Sequence, residues 1–163
     1  MGVGIRADDR SDPHVAATDA HGLTDRDPQI AGKTHGQDRL PGLEALLWRP
    51  APCLLITRIR GHASLAALRF YCERAVHEMR HGRLTVFHDW YELSGYDPDT
   101  RDELRRWGKL HNADFLGVHY LVRSKVIAML ISVAALTLGR DLVATTERDA
   151  FLARLALSLG PQR

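Results

Sequence analysis

The sequence predicts a single α/β domain with a mixed β-sheet, preceded by a disordered tail. Short apolar runs that suit strands alternate with segments whose apolar residues recur at helical spacing, as in strands connected by helices. The length of 163 residues suffices for one ordinary domain. The composition changes near Leu43, so we assign residues 1–42 to the tail and residues 43–163 to the domain.

The tail is rich in charged and turn-forming residues. It contains seven Asp, five Lys or Arg, three His and three Pro. Its apolar residues are scattered with neither a helical nor a strand period. Such a segment buries too little apolar surface to offset the entropy lost on ordering, so we predict that it is disordered.

The domain opens with two predicted strands, Leu46–Trp48 and Cys53–Ile59. Two prolines lie between them and cannot donate hydrogen bonds to a ladder, which indicates a turn. Because the connection is short, we expect the two strands to be antiparallel. Alternation places Leu55 and Thr57 on one face of the second strand and Ile56 on the other.

A helix and a buried strand follow. Ser64 can cap the helix, and Gly82 is typical of the residue that follows a helix end. Its apolar stripe consists of Leu65, Leu68, Cys72, Ala75, Val76 and Met79. The strand Leu84–Phe87 comes two residues later, and this strand–helix–strand order predicts a parallel, right-handed crossover.

The rest of the domain continues the alternation, giving the order β-β-α-β-α-β-α-β-α. A helix starts at Asp97 or, through a capping box, at Thr100, and its inner face carries Leu104, Trp107, Leu110 and His111. The later elements are strand Gly117–Val122, helix Val126–Leu138 capped by Ser124, strand Leu142–Thr145 and helix Glu147–Leu159. The helix Val126–Leu138 is apolar nearly all round, which predicts burial or a homodimer contact. It is too short to span a bilayer.

The segments VFHDWYELSGYDPDTRDEL and FLGVHYLVRSKVIAMLISVAALTLG carry a family resemblance. From about Leu46 to Leu155 the chain resembles the bacterial STAS/SEC14-like group, the domains of anti-sigma-factor antagonists. In that family an Asp ends the central strand, and a partner kinase phosphorylates a Ser or Thr at the next helix start. Asp89 matches the strand-ending Asp. Asp97 is the acid at the helix start, and Pro98 and Asp99 follow it instead of two Ser, so either Asp99 supplies a permanent negative charge or Thr100 accepts the phosphate.

The resemblance implies a non-catalytic signalling module that binds a protein partner. We place the regulatory or partner surface on the loop and helix start after the central strand. Its predicted residues are Asp89, Ser94, Asp97, Asp99, Thr100, Arg101 and Arg105. We expect no catalytic residues and no cofactor.

A second hypothesis is a carrier of a lipid or another small apolar ligand, as SEC14-like relatives are. Four aromatic residues surround the same loop: Trp90, Tyr91, Tyr96 and Trp107. They could line a pocket together with the apolar helix Val126–Leu138. The alternative is a small packing cluster that fixes the loop, because aromatic rings mostly serve packing.

The chain also contains an H-E-x-x-H pattern at His77, Glu78 and His81, the pattern of zinc-dependent hydrolases. Arg80 would place a positive charge beside the metal, and the two His lie off the apolar stripe. Gly82 ends the helix directly afterwards. We therefore favour a solvated helix end and predict no metal site, with the zinc hydrolase as a third hypothesis.

A second pair, His88 and Asp89, is open to two interpretations. They are a general base with its orienting carboxylate, or Asp89 caps loop N–H groups while His88 faces the other way. We favour the second interpretation, because no nucleophile elbow accompanies the pair.

The composition indicates which classes of partner and which cellular compartment to expect. A formal charge of +2 and a pI of about 8.7 are far from a nucleic-acid-binding signature. Asp8 and Asp9 interrupt the N-terminus, which lacks the apolar core of a signal peptide. Cys53 and Cys72 lie in apolar settings that suit reduced thiols. We therefore predict a cytoplasmic protein with no transmembrane segment.

Overall fold

The computed structural model describes residues 37–39, 45–138 and 141–160. The strands are β1 (Gln37–Arg39), β2 (Ala45–Ala51), β3 (Leu54–Ile59), β4 (Gly61–Ala63), β5 (Leu84–Asp89), β6 (Leu93–Tyr96), β7 (Phe115–Leu121) and β8 (Leu142–Thr145). The helices are α1 (Leu65–Met79), α2 (Pro98–Leu110), α3 (Lys125–Leu138) and α4 (Arg148–Leu159), with a 3-10 turn at Asn112–Asp114. No helix among these residues is long and apolar enough to cross a membrane.

Six strands form one mixed sheet in the order β1-β2-β3-β5-β7-β8. Strand β2 is antiparallel to both β1 and β3, and β3, β5, β7 and β8 run parallel. This confirms the predicted α/β class, the antiparallel pair at the start of the domain and the parallel crossover through α1. The strands β4 and β6 form a separate parallel pair beyond the ends of β3 and β5.

The two faces of the sheet are covered unequally. Helix α4 covers one face, where Phe151 and Leu155 pack against Ile56, Phe87 and Leu121. Helices α1, α2 and α3 share the other face. There the core joins Leu47, Leu55, Val86 and Val118 of the sheet to Leu68, Phe70, Tyr71, Leu104, Trp107, Ile131 and Ala135 of the helices. The alternation along β3 predicted that Leu55 and Ile56 face opposite sides, which is confirmed.

Three short strands were not predicted. The pair β4 and β6 is tied to its surroundings by backbone bonds from Gly61 N to Glu92 O (3.0 Å) and from Asp97 N to Ala63 O (3.3 Å). Both strands are short and largely solvent-accessible. Their sequences do not show the alternation of apolar and polar residues that predicts a half-buried strand. Strand β1 lies inside the segment that the sequence assigns to the tail. The rest of that segment is outside the described residues, and the boundary at residue 42 stays a prediction.

The helix starts and faces are partly as predicted. Ser64 and Ser124 accept hydrogen bonds from Ala67 N and Ile127 N, at 3.3 and 3.4 Å, which confirms both caps. Asp97 stands before α2 but makes no side-chain cap, because its carboxylate is paired elsewhere. The predicted inward position of Leu110 is wrong, since this residue is 78% exposed. At about 100° per residue, it lies roughly a quarter turn beyond the face that buries Thr100, Leu104 and Gly108.

Candidate functional site

A row of polar side chains crosses the sheet near the carboxyl ends of three parallel strands. Thr57 of β3, His88 of β5 and Tyr120 of β7 occupy paired register positions, so their side chains share one face. Thr57 Oγ1 and His88 Nδ1 share a hydrogen bond of 2.7 Å. We call these three residues the polar row. The carboxyl ends of parallel strands are where open α/β sheets commonly place their binding sites.

Aromatic rings enclose the imidazole of His88. The ring of Tyr120 stacks on it at a centroid distance of 4.9 Å, and Tyr71 of α1 meets it edge-on at 5.0 Å. Trp90, which follows β5, lies 5.2 Å away. His88 is 4% exposed. The Thr57 hydrogen bond and these ring contacts help to fix the orientation of the imidazole.

A cavity of about 490 Å³ lies above the polar row, between the sheet and helices α1, α2 and α3. We call it the His88 cavity. Its apolar walls come mainly from Ala67, Leu68, Phe70 and Tyr71 of α1, Leu104 of α2, and Ile127, Leu130, Ile131 and Ala134 of α3. Ala63, Leu93 and Tyr96 of the small β4–β6 pair also line it. The cavity is therefore largely apolar above a polar floor.

The charged residues that line the cavity are all arginines. They are Arg101 and Arg105 of α2 and Arg123, two residues before α3. Of the described residues in the lining, none is acidic. All three arginines are exposed to solvent, so they mark the mouth of the cavity and not its floor.

Two polar atoms of the lining residues are buried without a hydrogen-bond partner in the described part of the chain. They are Thr100 Oγ1 and Trp90 Nε1. A buried polar group without a partner costs about 1–3 kcal/mol of stability. The protein tolerates two such groups at the wall of one cavity.

A second depression of about 590 Å³ lies on the outer side of α2. It is lined by Leu65 and the charged residues Asp99, Asp102, Glu103, Arg105 and Arg106. Arg106 pairs with Glu103 at 2.6 Å, so part of this charge is neutralised within the helix. The walls of this depression carry charges of both signs and few apolar side chains. We therefore place the candidate site at the His88 cavity.

The predicted partner surface is divided by the structure. Asp89 is 1% exposed and Thr100 is 6% exposed, so their assignment to a partner surface is wrong. Asp89 ends β5 under the following loop, and Thr100 lies on the inner face of α2. A kinase cannot reach the Thr100 hydroxyl in this conformation. Ser94, Asp99, Arg101 and Arg105 are exposed, and Asp97 is half exposed; their role in binding a partner stays a prediction.

Asp89 caps the loop that follows β5, as the favoured interpretation has it. Its Oδ1 accepts a hydrogen bond from Tyr91 N at 3.1 Å. His88 points to the opposite face, where Thr57 orients it. The alternative pairing of His88 with Asp89 as base and orienting carboxylate is wrong, because neighbouring residues of a strand face opposite sides.

Two of the four predicted pocket aromatics line the His88 cavity. They are Trp90 and Tyr96. Tyr91 packs against the core under α4, on the other face of the sheet. Trp107 packs against Tyr71 and Phe115 at centroid distances of 5.5 and 5.7 Å. For these last two residues the pocket assignment is wrong and the packing alternative applies.

The sequence interpretation missed the most enclosed part of the site. The lining residues Thr57, Tyr71, His88 and Tyr120 were not assigned to a pocket. Alternation along β3 and β7 gives the faces of Thr57 and Tyr120, but only the strand register shows that His88 lies between them.

The H-E-x-x-H residues lie at the end of α1, away from the cavity. His77 and His81 are exposed, with ring centroids 5.7 Å apart, whereas Glu78 is buried. Among the described residues, no group of three His, Cys, Asp or Glu side chains could hold a metal ion. Catalytic zinc sites use three protein ligands. The zinc-hydrolase hypothesis therefore finds no support in the described residues.

Helix α3 is apolar on both sides. Ile127, Leu130, Ile131 and Ala134 line the cavity, although Ile127 and Leu130 are 48% and 58% exposed. Val126, Met129, Val133 and Leu136 form an exposed outer face. Leu136 is 85% exposed. The structure thus leaves this face uncovered, and the homodimer contact through Val126–Leu138 stays a prediction.

The two cysteines are poor nucleophiles. Burial, followed by the charges of Glu103 and Glu73, raises the pKa of Cys72 to about 12. Burial and the charge of Glu78 raise the pKa of Cys53. Because the thiolate is the reactive form, neither thiol is activated at neutral pH.

Comparisons with known proteins bear on the fold. No family model matches the chain, and no curated protein matches it. Among solved structures it is similar to an uncharacterized protein from the DUF3478 family with a SpoIIAA-like fold, from Shewanella loihica PV-4. That likeness has a TM-score of 0.53 at 15% identity and covers 74% of this chain and 90% of the other.

The chain is also similar to the anti-sigma factor antagonist SpoIIAA in its unphosphorylated form. The TM-score is 0.48 at 17% identity, over 69% of this chain and 97% of the other. The likeness to the Shewanella loihica protein shows that this chain has a SpoIIAA-like, that is STAS-like, fold. The predicted fold resemblance is confirmed.

Proposed function

We propose that the protein is a non-catalytic binding module that holds a small, largely apolar ligand in the His88 cavity. The observation that carries the proposal is the cavity itself, about 490 Å³ between the sheet and three helices. Ligand sites typically measure about 300–1,000 Å³ and combine apolar walls with a few placed polar groups. Here the polar row supplies those groups.

The chemistry of the lining favours binding over catalysis. Of the described residues that line the cavity, none is a carboxylate or a cysteine. The Thr57 hydroxyl is a hydrogen-bond partner of His88 Nδ1 at 2.7 Å. General acid–base or nucleophilic catalysis commonly uses a nucleophile beside a base that a third group orients. The lining instead offers one imidazole, hydroxyl groups, three arginines and apolar walls.

The test is saturable binding of N-phenyl-1-naphthylamine, a neutral fluorescent probe for apolar sites. We expect one probe per chain and at least a roughly ten-fold loss of affinity in Ala134→Trp, because the indole fills space at the cavity wall. The matched control is Ala153→Trp, an exposed alanine of α4 on the other face of the sheet.

Native mass spectrometry of gently purified protein gives a second measurement. An added mass of several hundred daltons, retained in Ala153→Trp and lost in Ala134→Trp, would support the proposal. Probe binding that does not saturate, or that both variants keep, would contradict it.

A second candidate function is binding of a signalling partner at the corner formed by β6 and the start of α2. Ser94, Asp99 and Arg101 are exposed polar residues of this corner, and Arg101 also lines the cavity. The ion pairs of His62 with Asp97 (2.7 Å) and Arg60 with Glu92 (2.6 Å) hold the corner in place. Exposed polar residues such as these commonly form the rim of a protein interface.

This candidate is tested by charge reversal of matched residues. Asp99 lies in the first turn of α2, and Asp149 lies in the first turn of α4 on the other face. We expect Asp99→Arg to reduce the capture of cellular proteins by the tagged chain, whereas Asp149→Arg leaves it unchanged. Equal capture by wild type and both variants would contradict a partner site at this corner.

A further inference from the structure

We infer that the ligand of the His88 cavity is an amphipathic anion, with its apolar body inside and its acidic group at the arginines of the mouth. The inference rests on the proposed ligand-binding function. It adds the chemical class of the ligand and the residues that select it.

The first argument is the separation of charge in the lining. Arg101, Arg105 and Arg123 are its charged residues, and no acid accompanies them among the described lining residues. Because the arginines are exposed while Thr57 and His88 are buried, the guanidinium groups lie at the mouth and the hydroxyl and imidazole groups lie inside. A cleft lined by one sign of charge concentrates ligands of the opposite sign.

The second argument is that, among the described residues, two of these arginines have no side-chain partner and are free to bind a ligand. Arg101 lies 3.7 Å from Asp102, a loose and exposed pair. Within the described residues, neither Arg105 nor Arg123 makes a hydrogen bond or ion pair to another side chain. The neighbouring Arg106, which does not line the cavity, pairs with Glu103 at 2.6 Å. The guanidinium group binds carboxylate and phosphate through two parallel hydrogen bonds.

Arg123 is the best placed of the three. It stands just before Ser124, whose hydroxyl caps α3, so it lies at the positive end of the helix dipole. Arg105 also borders the charged depression outside α2, where acidic residues compete for it. Arg123 lines the His88 cavity and does not line the charged depression outside α2.

The apolar part of the ligand follows from the walls. Ile127, Leu130 and Ile131 of α3 and Leu68 and Phe70 of α1 line the same cavity as Arg123. A chain or ring system that enters past the arginines therefore meets hydrocarbon up to the polar row. A monomeric free acid with an apolar body has this chemistry. The acidic headgroup of a membrane lipid carries the same negative charge, so the experiment must distinguish the two sources.

The experiment compares two probes that differ only in charge: 11-(dansylamino)undecanoic acid and its methyl ester. We expect wild type to bind the acid about ten-fold more tightly than the ester, as one charge-assisted hydrogen-bonded contact would give. Arg123→Gln should remove most of this preference by weakening acid binding while the ester affinity stays unchanged. Arg106→Gln is the matched control and should preserve the preference.

The outcomes separate this inference from the proposed function. Equal affinity for acid and ester in wild type would overturn the inference and leave the cavity a ligand site. Binding of neither probe would count against the cavity as a ligand site. Co-sedimentation with phosphatidylglycerol vesicles that the free acid does not displace would identify a membrane headgroup as the source and overturn the assignment of a free acid.

Discussion

The two faces of the sheet carry out different tasks with the same strands. Under α4, Phe151, Leu152 and Leu155 close directly onto the apolar side chains of the sheet. On the other face a cavity of about 490 Å³ lies between three helices and the polar row of the sheet. In the described part of the chain the α4 face is therefore a packed apolar core, whereas the other face leaves space for a ligand.

Two histidines on neighbouring strands show the same difference between the two faces of the sheet. His119 of β7 stacks on Phe87 at 4.4 Å on the α4 face. His88 of β5 stacks on Tyr120 at 4.9 Å on the cavity face. Residue type alone therefore does not distinguish a histidine of the core from one of the candidate site; the strand face does.

The largest effect is expected on the packed face. Phe151→Ala should lower the free energy of unfolding by about 3–5 kcal/mol, because Phe151 is fully buried and its removal leaves a void. Leu130→Ala on the cavity face should cost less than about 1 kcal/mol, since Leu130 is more than half exposed. Urea unfolding of both variants measures the difference. Similar losses would show that the two faces do not differ in packing as described.

An intermediate effect is expected at the polar row. Thr57→Val removes the hydroxyl that bonds His88 Nδ1 and leaves a buried polar atom without that partner. We expect a loss of about 1–3 kcal/mol in the free energy of unfolding. Thr57→Ser retains the hydroxyl and should recover most of it. If Val is tolerated as well as Ser, the hydrogen bond does not hold the imidazole.

The smallest effect concerns His119 and pH. Burial lowers its pKa from the ordinary value of 6.5, against the opposing charge of Asp141 and together with that of Arg154. The unfolded chain therefore binds a proton more readily than the folded one. The stability that neutral His119 contributes is complete above about pH 6.5 and is lost as the pH falls through the lower folded-state pKa.

The measurement is the pH dependence of unfolding in His119→Gln against wild type. We expect wild type to lose additional stability between about pH 7 and 5, by at most about 1.4 kcal/mol per pH unit for one proton. His77→Gln, at an exposed histidine of α1, controls for the loss of any imidazole. Parallel curves for wild type and His119→Gln would show that His119 does not titrate differently on folding.

The sequence predicts those features of the fold that depend on neighbouring residues. The alternation of β3 predicts that Thr57 and Ile56 face opposite sides of the sheet, and Ser64 and Ser124 predict two helix starts. These signals are local because side-chain direction and caps depend on residues within one turn or one strand. The strand–loop–helix segment after β5 was likewise recognised, and with it the fold.

Contacts between distant segments could not be predicted in this way. Asp97 has the chemistry of a helix cap, but its carboxylate pairs with His62, 35 residues earlier. Thr57 and His88 are 31 residues apart and meet only through the register of β3 with β5. Periodicity gives the face of each strand and not the residue opposite, so the centre of the candidate site was missed.

Helix α3 joins the two sides of the comparison, because its inner residues line the cavity and its outer residues face solvent. Thermodynamic linkage requires that the coupling between two binding sites on one helix acts equally in both directions. A molecule that covers the outer face and displaces the helix would change the affinity of the cavity for its ligand. The ligand would then change binding at the outer face by the same factor, so one helix would report the occupancy of the interior to the surface of the protein.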